Sequence, residues 1–173
     1  MARTVQVVGT GQLIELSRRL RAAGGSRLKA NFARRIRRAA EPMHQDLQQT
    51  IRSLPISSGG RGAGKRGGPS PTKRPLRATI AGAIRISVRT GANPGARVWI
   101  DKGRLPSDLK NMPKVINEGP PPGRIRHPVF GNKKRWVNQS VPPFWWDKTV
   151  AKHQPRMRAE VERVLADVRN SLS

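Results

Sequence analysis

Residues 59–66, Gly-Gly-Arg-Gly-Ala-Gly-Lys-Arg, are the one stretch of this sequence that approaches a catalytic motif. A phosphate-binding P-loop uses spaced glycines so that backbone amides cradle phosphate, then a Lys, then a Ser or Thr hydroxyl for magnesium. Here Arg66 stands where the hydroxyl belongs, no strand-like run precedes the loop, and Gly and Pro follow where a helix should begin. Nucleotide hydrolysis is excluded on those grounds. The histidines, His44, His127 and His153, are scattered and lack metal-ligand spacing. There is no Cys, which removes disulfides, thiolate ligands and Cys nucleophiles. The acids are dispersed and mostly sit beside arginines, so no acid–base pair, triad or metal constellation emerges. The expectation is a protein without enzymatic activity and without a cofactor.

What remains to do chemistry is positive charge. Lys and Arg number 35 against 10 Asp and Glu, a formal charge of +25. A free monomer would repel itself, so polyanions or acidic protein surfaces are its natural partners. One cluster is Arg34, Arg35, Arg37 and Arg38, with no acid nearby before Glu41. Basic residues on a helix are commonly just a solvated face, but a run without acids is a candidate polyanion contact. A second cluster is Arg61, Lys65, Arg66, Lys73 and Arg74.

The elements that must position these cations follow from periodicity. Thr4–Val8 reads as a strand ended by Gly9, and Thr10 is placed to cap a helix carrying Leu13, Leu16 and Leu20. Gly24 and Gly25 break that run, and Ser26 offers a second cap. Leu28, Phe32, Ile36, Ala40, Met43, Leu47, Ile51 and Leu54 then recur every three or four residues, which predicts a long amphipathic helix, kinked at Pro42. The stretch 55–75 is rich in Gly, Pro, Ser and cations and cannot bury enough apolar surface to order itself alone, so 57–74 reads as a mobile basic loop. Leu76–Ala83 suits a short helix. Ile84–Arg89 and Ala96–Ile100, joined by turn residues, suit a hairpin with Arg85, Arg89 and Arg97 on one face. A weak helical pattern over Asp108–Glu118 is broken at Pro113. Residues 119–123 read as a rigid turn, and 101–125 as a loop insertion. Arg135-Trp136-Val137 offers a third strand to the hairpin. From Phe144 to Leu172 the pattern is a C-terminal helix, divided at Pro155, whose Glu160, Glu162 and Asp167 alternate with Arg158, Arg163 and Arg169.

These elements make an α+β chain: a long basic helix, a small antiparallel sheet, a C-terminal helix and long Gly- and Pro-rich loops. The length of 173 residues suits one domain over 1–173. The apolar share of 35% lies below the usual level of about 45–50%, so the core is modest and assembly with other subunits is expected to add burial. The N-terminal residues lack a signal-peptide pattern and no run reaches membrane-span length, so a soluble protein without a membrane partner is expected. The aromatics gather in Arg126–Asp147, which holds Trp136, Trp145 and Trp146 out of 4 Trp, and Phe130 and Phe144 out of 3 Phe. Aromatic rings dominate core and interface energetics. Phe130 and Phe144 are expected in the core, and the Trp145–Trp146 pair either in the core or at a subunit boundary.

The order of elements resembles the neck and minor tail proteins of long-tailed bacteriophages, the head-tail joining and tail-completion family to which the lambda tail-completion class is related. The residues that carry the resemblance are Leu76-Arg77-Ala78-Thr79-Ile80 before the hairpin, His127-Pro128-Val129-Phe130-Gly131, Trp136-Val137, and Pro142-Pro143-Phe144 opening the last helix. It spans Leu13 to Leu172. The chain departs from the common pattern by inserting Lys102–Pro122, by offering Asn117-Glu118-Gly119 in place of a Glu-x-Gly segment, and by the length of its loop from Ser57 to Lys73. The resemblance implies a non-enzymatic structural virion protein, made in the host bacterial cytoplasm. Such a protein assembles as a homo-oligomeric ring (a hexamer or dodecamer) with neck, connector and tail-tube proteins, where the double-stranded genome passes. Under that reading Arg34, Arg35, Arg37, Arg38, Arg61, Lys65, Arg66, Lys73 and Arg74 face DNA or the connector. Phe130, Trp136, Phe144, Trp145 and Trp146 pack in the core or between subunits. The competing class is a sequence-nonspecific nucleic-acid-binding protein, ribosomal or nucleoid-like, which the charge favours. Against it, the cations are spread over every segment and no nucleic-acid motif is present. An enzyme such as a nuclease would need a carboxylate or His constellation that the sequence lacks.

Overall fold

The computed structural model describes residues 4–8, 14–15, 18–19, 22, 26–58, 75–90, 95–119, 121–129 and 132–170. The expected Thr10 cap, Leu13, Leu16 and Leu20 lie outside them, as does all of the basic loop beyond Ser58.

The chain is α+β, as its periodicities require. Helix α1, Ser26–Ser53, buries Phe32, Ile36, Ala40, Met43, Leu47 and Ile51, spaced by three and four along one side. Ser26 is its first residue rather than its cap. The helix also runs unbroken through Pro42. The ring only removes the amide that would reach Arg38, and Pro42 itself stands in solvent where the lost bond costs least.

Helix α2, Leu76–Ala83, leads directly into strand β3, Ile84–Arg89, which pairs antiparallel with β4, Gly95–Ile100. The third strand of this sheet is β1, Thr4–Val8, on the far side of β4. The register sets Ile84 opposite Ile100, Ile86 opposite Val98 and Val88 opposite Ala96, so one face is apolar and packs on α1. Arg85, Ser87, Arg89, Arg97 and Trp99 occupy the other face.

Residues 101–125 are not an extended loop. They hold two single turns of 3-10 helix, Lys102–Arg104 and Ser107–Leu109, then helix α3, Met112–Glu118. Pro113 opens α3 instead of breaking it, because an amide in the first helical turn has no intrahelical partner to lose. Strand β5, Arg124–Val129, then pairs with β6, Asn132–Ser140, and a two-residue strand β2, Ser57–Ser58, adds to the other side of β6. Arg135-Trp136-Val137 therefore belongs to a second sheet and adds no strand to β3–β4. The first two residues of the expected mobile loop are likewise strand, set against Ser140 and Gln139.

Helix α4, Trp145–Asn170, lies along α1 and continues through Pro155, which is exposed like Pro42. Interhelical pairs at Thr50–Thr149, Asp46–His153 and Arg35–Asp167 show that the two helices run antiparallel. One core joins α1, the apolar sheet face, α2 and α4, with Trp145, Trp146, Met157, Val161 and Val164 supplied by the last helix.

Candidate functional site

The aromatic stretch divides between interior and surface. Trp145 and Trp146 are 3% and 2% exposed, and meet edge to face with ring centres 5.7 Å apart. Both belong to the core of a single chain, which removes them as subunit-contact residues. Phe144, expected in the core, is 40% exposed with φ at +60°. Its backbone makes the turn that starts α4, its carbonyl accepting from the Lys148 amide at 2.9 Å, and this turn points the ring away from the core. Trp136 is 50% exposed, on the outer face of β6. Phe130 lies outside the described residues.

The residue that holds this start in place is Asn117, at the end of α3 and fully buried. Its side-chain amide donates to Asp147 Oδ2 at 2.8 Å, and its side-chain carbonyl accepts from the Trp146 amide at 2.9 Å. Its backbone carbonyl accepts from the Phe144 amide at 2.8 Å. Asn117 thus satisfies the first turn of α4 from a neighbouring element. Gly119 lets the chain turn back beside it: a Cβ there would stand 2.5 Å from the Val115 carbonyl oxygen and 2.9 Å from that of Arg124. Neither role has a periodic signature, and sequence reasoning missed both.

Of the candidate cations, Arg61, Lys65, Arg66, Lys73 and Arg74 lie outside the described residues. The other four sit on α1 and are not equivalent. Arg34 bonds Asn31 one turn back, and Arg37 approaches Glu41 at 4.0 Å. Arg35 pairs with Asp167 of α4, so the acid that the local sequence lacks arrives from the other end of the chain. Arg38 makes no hydrogen bond or ion pair among the described residues, and it is exposed.

Two further surfaces combine cations with Trp. On the first sheet the Arg97 guanidinium lies 5.0 Å from the centre of the Trp99 ring, beside Arg85 and Arg89. On the second, Arg126 lies 5.1 Å from Trp136, and exposed Arg124, Asn138 and Ser140 share that face. Each pairing is a cation–π contact, with Arg126 exposed and Arg97 half-buried. Alternation in the first hairpin foretold Arg85, Arg89 and Arg97. Trp99, Arg124 and Arg126 were not singled out as functional.

A groove of about 340 Å³ lies between α1 and α4. Met43, Met157 and Val164 form its base, and Arg38, Arg156 and Arg163 stand at its rim. Arg163 pairs with Glu160 at 2.6 Å. At one end Asp46 accepts from His153 at 2.6 Å and Lys152 at 2.9 Å. The His153 bond first, then the Lys152 bond, hold the Asp46 carboxyl below the usual aspartate range, against the opposing effect of burial. His44 serves a different role, its Nε2 lying 3.1 Å from the Ile84 carbonyl and tying α1 to the first sheet. No group of three or more His, Asp or Glu placed to hold a metal occurs among the described residues. No helix among them is long and apolar enough to cross a membrane.

Comparison with family models, with curated proteins and with solved structures finds no match to this chain.

Proposed function

We propose that this protein is a non-enzymatic structural component of a tailed-phage virion, set at the head-tail joint and assembled with copies of itself and with neck, connector and tail-tube proteins around the DNA channel. The observation that carries the reading is the distribution of charge over the fold. The apolar sides of α1, α4 and the first sheet close on one core, and arginines stand on the outer sides of α1, of that sheet and of the β5–β6 hairpin. Such a surface neutralises phosphates from several directions. Phosphate contacts position a duplex without reading its sequence, as a channel that passes a whole genome requires. The order of elements supports the same reading, with Pro142-Pro143-Phe144 turning the chain into its last long helix.

A second reading is sequence-nonspecific nucleic-acid binding outside a virion, favoured by the Arg97–Trp99 and Arg126–Trp136 pairs. Aromatic faces beside cations are the elements of single-strand binding surfaces. Electron microscopy of particles formed when the gene is silenced in its phage separates the two. Full heads and free tails that do not join, or tails unfinished at the top, are expected. Normal joined virions would remove the neck reading and leave the nucleic-acid one.

A further inference from the structure

The groove between α1 and α4 has a chemistry that duplex DNA does not match. Its open apolar lining comes from Ala39, Pro42 and the edge of Val164 above buried Met43 and Met157, and its rim carries Arg38, Arg156 and Arg163, the last paired with Glu160. Two interhelical ties bound it: Asp46 with Lys152 and His153 at one end, and Arg35 with Asp167 at the other. With the Glu160–Arg163 pair, these ties occupy the carboxylates around the groove. Arg38 and Arg156, between them, make no hydrogen bond or ion pair among the described residues and reach solvent. The volume, about 340 Å³, is at the lower end of the range of ligand sites and exceeds what one side chain fills.

We infer that this groove docks an acidic segment of a partner protein, with one apolar side chain seated on Ala39, Pro42 and Val164 and flanking carboxylates on Arg38 and Arg156. Charge complementarity decides the occupant. A phosphate chain would meet the rim but gain nothing from an apolar base, whereas an apolar side chain between two carboxylates matches both. A second copy of this chain is a poor occupant. Its 10 acids are dispersed, and the closest pair, Glu160 and Glu162, belongs to α4 itself. This inference stands apart from the neck reading, since it names a partner chemistry and not a place in a particle.

The test is fluorescence anisotropy with a labelled synthetic peptide rich in Asp and Glu around one central Leu. The variant carries Arg38→Glu and Arg156→Glu, exposed positions whose reversal leaves the core untouched; should it fail to fold by circular dichroism, Arg38→Gln with Arg156→Gln takes its place. Affinity is expected to fall on the order of tenfold or more in the variant. It should also fall about tenfold for the wild type when the peptide's Leu is replaced by Ala. Binding unchanged by the variant would overturn the inference. So would equal binding of the Leu and Ala peptides, which would mean bulk charge attraction. A duplex DNA that displaces the peptide and loses affinity equally in the variant would make the groove a nucleic-acid site instead. Loss of self-association in the variant, seen by sedimentation, would assign it to a second copy.

Discussion

Asn117 holds the start of α4 through both ends of its side chain, so shortening it removes two hydrogen bonds at once. Asn117→Ala leaves the buried Trp146 amide without its acceptor and takes the amide donor from half-buried Asp147. The expected cost is about 2–3 kcal/mol, seen as a lower midpoint in chemical denaturation with an unchanged slope. Asp46 makes a smaller contribution with a definite pH signature. Folding lowers its pKa, chiefly through the hydrogen bond from His153. Its stabilisation is therefore present above the unfolded aspartate value of about 3.9 and is lost as pH falls through the folded value. Asp46→Asn should reduce stability near neutral pH by no more than about 1 kcal/mol, because Lys152 and the carboxylate are partly in solvent. Thermal melts of variant and wild type should converge once the pH falls below the lowered folded value of Asp46.

At the scale of elements, the two long helices were legible because burial repeats every three or four residues over many turns, and no single exception outweighs that count. Neither proline divides its helix, for one reason. A mid-helix Pro costs a hydrogen bond, but packing of Ile36, Ala40, Met43 and Leu47 holds the backbone on either side of Pro42 regardless. Pro42→Ala restores the amide that Arg38's carbonyl lacks. It should raise stability by about 1–2 kcal/mol after allowing for the freer unfolded chain, a rise that a thermal melt would detect. The second sheet was hidden because its strands give little alternation. β2 is only Ser57-Ser58, β5 contains Pro128, and of the inward positions in β5–β6 Ile125 is buried while Val137 and Gln139 are only half-buried. The site was less legible than the helices for a related reason. Its geometry comes from contacts such as Arg35–Asp167 and Asn117–Asp147, which join residues far apart in sequence and leave no local pattern.

At the scale of the whole molecule, burial decides which aromatics serve assembly. Trp145 and Trp146 complete the core, so replacing both by Ala should unfold the chain and not merely yield monomers, the two losses being about 3–5 kcal/mol each. Trp136→Ala removes an exposed ring from the outer face of a hairpin. Under the assembly proposed above it should preserve the fold while weakening self-association, which analytical ultracentrifugation resolves. Charge poses the remaining question, because the formal +25 is shared between surfaces described above and the stretch 59–74. Deleting residues 60–73 while keeping Ser57-Ser58 preserves β2 and removes Arg61, Lys65, Arg66 and Lys73. If the stretch contacts phosphate, each lost contact should flatten the plot of log affinity against log salt by about 0.9, since that slope counts the counterions a protein displaces. A flatter slope with unchanged thermal stability would place part of the DNA contact in this stretch. An unchanged slope would leave phosphate binding to Arg34, Arg37 and the two Arg–Trp faces. Charge reversal at Arg85 and Arg89, on the face opposite the core, should then move the slope instead.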